Sequence, residues 1–147
     1  MLPKYHILFG LIFVAILYLI FPSISVLGLI IIFLSSVLID VDHVLYYSFK
    51  KRNLNPIKAY KWYMERLKEF KKLSREQRRN FHPGFYLFHG VEWLILLFFL
   101  GTYLPFLFFI FLGFSFHLLL DIIYEFYDIH TTYKMSLILN RCKYKKL

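Results

Sequence analysis

Cysteine is almost absent from this chain: Cys142 is the single one among 147 residues. A lone cysteine excludes an internal disulfide and says little about the redox compartment. Acidic side chains are also scarce, with 9 Asp and Glu against 18 Lys and Arg. The sequence has no H-E-x-x-H motif, no G-x-S-x-G elbow and no P-loop, which argues against the enzyme classes that depend on those motifs. No internal repeat or interrupted apolar segment supports a transporter.

Apolar residues, by contrast, make up 59 % of the chain and aromatic residues 22 %, well above the proportions in soluble domains. They are concentrated in four long runs, each close to the roughly 17–25 residues that a membrane-spanning helix requires. The runs are continuous and do not alternate with polar residues, which is typical of helices and not of barrel strands. We therefore predict an all-α integral membrane protein with spans at about residues 5–21, 24–45, 85–101 and 104–127.

The connections within each pair of predicted spans are short. The stretch "FPSIS" joins the first two spans, and "GTYLP" joins the last two, with Gly101 and Pro105 as helix breakers. No small-residue cleavage site follows the first run, so we expect a retained helix and not a signal peptide. The short connections predict two antiparallel hairpins. Together these would form a four-helix membrane bundle, in a single domain that covers residues 1–147.

Positive charge is concentrated at one end of the predicted bundle. The central loop, at about residues 48–84, contains twelve Lys or Arg residues and three Glu residues between positions 50 and 80. The C-terminal tail from residue 141 adds four more basic residues, and the two short turns carry no charge. The positive-inside rule then predicts a multi-pass protein of the cell (inner) membrane, with the loop and both termini in the cytoplasm.

The central loop is predicted to contain a basic amphipathic helix. Its apolar residues recur at helical spacing among the basic ones: Tyr60, Tyr63, Met64, Leu67, Phe70 and Leu73. Such a helix would lie on the inner leaflet, where anionic lipid head groups attract it. We expect membrane lipid as the partner and no nucleic acid, because the basic residues stand where membrane topology already requires them. No small-residue pattern indicates an oligomeric state.

Ionisable residues interrupt all four apolar runs at a similar depth: His6, Asp40, His43, His89, His117 and Asp121. At 1.5 Å per residue they lie about 18–27 Å from the short outer turns. His117 and Asp121 share a helical face at i, i+4, and Asp40 and His43 do so at i, i+3. Charged groups at this depth are costly unless they are compensated, and four-helix bundles build metal sites from inward-facing carboxylates and histidines. The sequence therefore predicts that these four residues and His89 bind metal.

Imidazole together with carboxylate favours Zn, Mn or Fe, and the number of ligands is enough for one or two divalent ions. Some neighbouring residues have two interpretations. His6, considered alone, is equally well explained as an interfacial side chain. Asp42 points about 100° away from His43 on an ideal helix, so either the helix bends there or Asp42 orients a histidine. His82, in a Pro- and Gly-containing loop, is at least as well explained by capping or solvent exposure as by metal binding. Asp128 and His130 follow the fourth run and are expected to be solvated.

These motifs resemble the YdjM-like family of membrane-bound, metal-dependent hydrolases over nearly the whole chain. The similarity is carried by an early His in the first span, "IDVDH" after the second, a His-Pro-Gly…His stretch opening the third, and "HLLLD" in the fourth. The third motif, "HPGFYLFHGVE", departs from the family because it lacks an Arg and has a wider gap between its histidines. The resemblance implies hydrolysis and a fuller ligand set: His6, Asp40, Asp42, His43, His89, His117 and Asp121.

Three functions are compatible with such a site. The first is a hydrolase acting on a phosphoester or ester of a lipid or lipid-like substrate at the cytoplasmic boundary, with Glu92 or Asp42 as general base. Basic residues of the loop would hold an anionic head group. The second is a bis-His haem b protein, which the nearby carboxylates disfavour. The third is a non-catalytic scaffold or lipid-binding protein stabilised by a closed metal shell.

Overall fold

The computed structural model describes residues 3–80 and 86–129, and within these ranges the chain is helical and contains no strand. The all-α prediction is therefore confirmed for the described residues. A π-helical segment, Glu125–Ile129, follows the last α-helix directly. The α-helices are α1 (Pro3–Ile20), α2 (Val26–Leu38), α3 (Val41–Lys51), α4 (Pro56–Lys72), α5 (Arg75–Asn80), α6 (Val91–Gly101) and α7 (Pro105–Tyr124).

Three helical segments are long and apolar enough to cross a membrane: Pro3–Ile20, Val26–Lys51 and Pro105–Tyr127. They fall in the first, second and fourth predicted spans. In the third, α6 begins only at Val91 and has 11 residues, which is about 16 Å of helix against a hydrocarbon core of about 30 Å. Three segments compatible with a membrane protein are thus present, and the third predicted span, at residues 85–101, stays a prediction.

Local capping chemistry sets the helix boundaries. The side chain of Ser25 accepts a hydrogen bond from the backbone N–H of Gly28 at 3.1 Å, which caps the N-terminus of α2. Asn55 caps α4 in the same way, and Pro105 stands at the first position of α7. Arg52 ends α3 in the left-handed conformation, with φ of 51°. The turns "FPSIS" and "GTYLP" therefore separate helices as the sequence predicts.

The chain folds into two compact units, and the boundary after α2 falls between Ile39 and Asp40. The first unit comprises α1, α2, α6 and α7, and the second comprises α3, α4 and α5. In the first unit α2 packs against both α1 and α7, and α6 packs against α7. The prediction of a single domain for the whole chain stays a prediction.

Small residues let the helices of the first unit approach closely. A Cβ atom added to Gly10 of α1 would lie 2.8 Å from Oγ of Ser36 in α2. One added to Gly113 of α7 would overlap Oγ of Ser35 and lie 2.5 Å from the carbonyl oxygen of Ile32. Such contacts between small side chains are the usual means by which helices in membranes pack. Glycine at both positions therefore brings α1, α2 and α7 into close contact.

The second unit contains the predicted amphipathic helix, which is confirmed as α4. Ala59 and Phe70 are buried on the side of α4 that packs in this unit, and Trp62 lies 5.7 Å from Tyr47 of α3 between ring centroids. Tyr60, by contrast, is 49 % exposed. The lysines are exposed as expected: Lys58, Lys61, Lys68, Lys71 and Lys72. Part of the apolar face thus packs within the unit, and its contact with lipid stays a prediction.

Candidate metal centre

His6 lies on α1 and His117 lies on α7, and each of these helices contacts α2 closely at a glycine. His6 lies one turn before Gly10 in α1, and His117 lies one turn after Gly113 in α7. Their rings stack with centroids 3.9 Å apart and an interplanar angle of 10°. The close helix contacts at the glycines therefore bring the two imidazoles together in the interior of the first unit.

A backbone hydrogen bond fixes the orientation of His117. Its Nδ1 lies 2.8 Å from the carbonyl oxygen of Ser36. Because a carbonyl oxygen can only accept, Nδ1 carries the hydrogen and donates it, and Nε2 of the neutral ring keeps its lone pair. Metal-binding histidines are typically held in this way, with one ring nitrogen donating to a carbonyl or carboxylate. The site thus presents Nε2 of His117 as a potential ligand atom.

Three buried residues place potential ligand atoms around one point. Nε2 of His117 lies 3.4 Å from Nε2 of His89, and Oδ2 of Asp121 lies 3.6 Å from His89 Nε2 and 3.7 Å from His117 Nε2. In a tetrahedral site with bonds of about 2.0–2.2 Å, ligand atoms lie about 3.3–3.6 Å apart. The spacing of these three atoms fits a metal ion. We call His89, His117 and Asp121 the buried triad.

Because the triad is buried, the negative charge of its carboxylate has to be compensated. His117 is 0 % exposed, and His89 and Asp121 are each 2 % exposed. A carboxylate in such surroundings is costly without a cation or several hydrogen bonds. A direct hydrogen bond between the two Nε2 atoms would be long at 3.4 Å, because such bonds usually measure about 2.7–3.2 Å. Ligand spacing therefore explains the geometry better than a histidine–histidine hydrogen bond.

His6 stands beside the triad and contacts the other oxygen of the carboxylate. Its Nε2 lies 3.3 Å from Oδ1 of Asp121, and the residue is 1 % exposed. Asp121 therefore directs Oδ2 towards His89 and His117, and Oδ1 towards His6. This arrangement would let Oδ2 of Asp121 help to hold an ion while Oδ1 orients His6. The structure buries His6 in the interior of the first unit, beside the Asp121 carboxylate.

His89 and Glu92 lie in different local structures. His89 precedes α6, whose N-cap residue is Gly90, and Glu92 is in the first turn of that helix. His89 therefore has no fixed helical phase relative to Glu92, although the two residues are only three positions apart. Glu92 is partly buried and is not one of the triad. Its role as a general base stays a prediction.

The second unit contains the other predicted ligands. Nδ1 of His43 lies 2.7 Å from Oδ1 of Asp42 and 3.9 Å from Oδ1 of Asp40. Tyr86 stacks on the His43 ring, with centroids 4.0 Å apart. The contact of Asp42 is the one expected of a carboxylate that orients a histidine, because a hydrogen bond at Nδ1 leaves Nε2 for a ligand. The assignment of all three as metal ligands stays a prediction: Asp40, Asp42 and His43.

One buried carboxylate was missed by the sequence reasoning. Glu125 is 6 % exposed, and together with His89 and Asp121 it lines a cleft in the first unit. Its spacing from Asp121 is i, i+4, continuing the face that His117 and Asp121 define. That periodicity was available in the sequence, where Glu125 also interrupts the fourth apolar run. Other candidates lie outside the described side chains: His82, Asp128 and His130.

No protein-family model, curated protein or solved structure matches this chain significantly. Membership of the YdjM-like family stays a prediction that rests on the sequence motifs. The part of the site that the structure describes is a buried histidine and aspartate cluster whose atoms are spaced to hold a metal ion.

Proposed function

We propose that this chain is a membrane-embedded, metal-dependent hydrolase of the YdjM-like kind, which cleaves a phosphoester or ester of a lipid or lipid-like substrate at the cytoplasmic boundary. The single observation that carries the proposal is the spacing of the buried triad, with ligand atoms 3.4, 3.6 and 3.7 Å apart. The three long apolar helices support the membrane setting. The proposal includes a four-helix bundle with both termini in the cytoplasm.

Each triad residue has a role in holding the ion. His117 offers Nε2 because the carbonyl of Ser36 takes the hydrogen of Nδ1. His89 offers Nε2, and Asp121 supplies the negative charge that a divalent cation offsets. When bound, one or two Zn, Mn or Fe ions would supply Lewis-acid chemistry for hydrolysis. This donor set, two imidazoles and a carboxylate, is one that catalytic zinc sites use.

The reaction also requires a general base. In hydrolysis the oxygen of water bonds to phosphorus or to the ester carbon, the ester bond breaks, and the leaving oxygen receives a proton. Glu92 and Asp42 are the bases that the sequence suggests, and the structure adds Glu125 because it lines the cleft beside Asp121. Basic residues of the central loop would hold an anionic head group.

Metal analysis tests the proposal most directly. The protein would be purified without a histidine tag, and bound metals would be measured by mass spectrometry. We expect about one or two ions per chain, lost in His117→Ala and Asp121→Ala. Glu69→Gln, at an exposed position of α4, serves as the control that keeps the metal. No metal in the wild-type protein after reloading with Zn, Mn and Fe would contradict the proposal.

A non-catalytic scaffold with a closed metal shell is the alternative that the same site allows. Spectroscopy of the Co²⁺-loaded protein separates the two. A change in visible absorption on adding inorganic phosphate would show an exchangeable position and support hydrolysis. An unchanged spectrum, together with no turnover in a phosphoester screen, would favour the scaffold. A haem between His6 and His117 is disfavoured, because their stacked rings are only 3.9 Å apart.

A further inference from the structure

A cleft in the first unit leads to the buried triad between α6 and α7. Its volume is 80 Å³. Two triad residues, His89 and Asp121, form part of its wall. The other lining residues are Val91, Leu94, Leu118, Ile122 and Glu125.

The walls of the cleft differ in polarity. Leu118 and Ile122 of α7 are spaced i, i+4, and so are Asp121 of α7 and Glu125, the first residue of the π-helical segment that continues it. The apolar pair and the acidic pair therefore form two adjacent rows along the helix. Leu94 adds to the apolar wall from α6. The cleft thus combines an apolar wall with a polar edge at the candidate metal centre.

The apolar wall reaches the outer surface of the unit. Val91 is 43 % exposed and Ile122 is 38 % exposed, whereas Asp121 is 2 % exposed. α7 is apolar and long enough to cross a membrane. If the chain is embedded in a membrane, as the proposed function requires, the mouth of the cleft beside Val91 and Ile122 would face lipid. A molecule could then reach the triad from the membrane without crossing water.

We infer that this cleft holds the hydrocarbon chain of an anionic, single-chain amphiphile, whose phosphate head group lies at the buried triad. The inference rests on the proposed function, because a bound cation is needed to attract the anion. The apolar wall at Leu94, Leu118 and Ile122 fits methylene groups. Val91, Leu94, Leu118 and Ile122 then determine specificity for the chain, and the triad determines it for the head group.

The size of the cleft selects this occupant over larger ones. Its 80 Å³ is about half of the roughly 150 Å³ of an apolar cavity that holds a benzene ring. A few methylene groups fit inside, whereas the cleft is too small to enclose a nucleobase or a sugar ring. The first methylenes next to the head group therefore lie in the cleft, and the rest of the chain remains in the lipid.

Photoaffinity labelling in phosphatidylcholine nanodiscs tests the inference. The probe is dodecyl phosphate with a diazirine on the chain close to the head group. We expect metal-loaded protein to be labelled on the peptides of α6 and α7, and dodecyl phosphate to compete. Inorganic phosphate at the same concentration should compete at least about tenfold less well, because it lacks the chain contacts. Equal competition by inorganic phosphate would overturn the inference.

Variants give a second test. Ile122→Trp and Leu94→Trp fill the cleft and should each lower labelling about tenfold, with unchanged metal content. Ile123→Trp is the matched control, since Ile123 is 45 % exposed and does not line the cleft. Labelling that falls equally in Ile122→Trp and Ile123→Trp, with metal retained, would overturn the inference but leave the proposed function standing. A wild-type protein without metal would contradict the proposed function itself.

Discussion

His117 donates the hydrogen of Nδ1 to the carbonyl oxygen of Ser36 across 2.8 Å, joining α7 to α2 inside the first unit. The two residues are 81 positions apart in the chain, so this contact depends on helix packing. It directs Nε2 of His117 towards His89 and Asp121. The local geometry of the candidate metal centre is therefore coupled to the close approach of the two helices.

Replacement of Gly113 by Ala should damage both packing and metal binding. The new Cβ would overlap Ser35 and lie 2.5 Å from the carbonyl oxygen of Ile32, so α2 and α7 would have to separate. We expect a loss of about 1–3 kcal/mol in unfolding free energy, together with weaker metal binding. Denaturation in detergent and a chelator titration measure the two effects.

Gly28→Ala is the matched control for that experiment. Its Cβ would meet the end of the Phe109 side chain at 2.8 Å, and that ring can rotate away. Its loss of stability should be smaller and its metal affinity unchanged. Equal metal affinity in Gly113→Ala and the wild type would contradict the coupling between helix packing and the site.

Glu125→Gln should retain metal and lose turnover. The substitution keeps the size of the side chain but removes a carboxylate that can accept a proton, and a positioned base contributes about 10²–10⁴-fold to rate. The measurement is phosphoester turnover with the metal content determined in the same sample. Glu92→Gln is the comparison, because Glu92 does not line the cleft. A larger loss in Glu92→Gln than in Glu125→Gln would assign the base to α6.

Asp42→Asn tests the predicted ligands of the second unit. Asp42 accepts the hydrogen of His43 Nδ1 at 2.7 Å, and loss of such a partner typically weakens metal binding about 10–100-fold. We therefore expect a reduction of that size in a chelator titration if His43 is a ligand. Glu65→Gln, at an exposed position of α4, controls for the loss of charge. Unchanged affinity in Asp42→Asn would remove His43 from the ligand set.

Cysteine labelling tests the predicted orientation. Cys142 is the single cysteine of the chain, so a membrane-impermeant maleimide reports the side of the C-terminal tail. It should react in inside-out vesicles and not in intact cells, because the basic tail is predicted to be cytoplasmic. Ser23→Cys in a Cys142→Ser background should show the opposite pattern. Labelling of Cys142 in intact cells would reverse the predicted topology.

Part of the candidate site could be predicted because helical periodicity is a local property. The i, i+4 spacing of His117 and Asp121 holds in α7. His6, which the sequence puts at a similar distance from the outer turns, lies beside Asp121 in the structure. The position of His89 required more, since it lies before α6 and not on it. A segment outside a helix has no fixed phase, so its side-chain direction depends on tertiary contacts.

The sequence by itself determined the helical class, the apolar runs and the identity of the ionisable residues within them, because hydrophobicity and helical spacing act over short distances. Only the tertiary structure decided that Gly10 and Gly113 bring His6 and His117 into stacking contact. It also decided the tautomer of His117, through the carbonyl of Ser36. The cleft between α6 and α7 and the burial of Glu125 are likewise tertiary, since both depend on which helix faces meet.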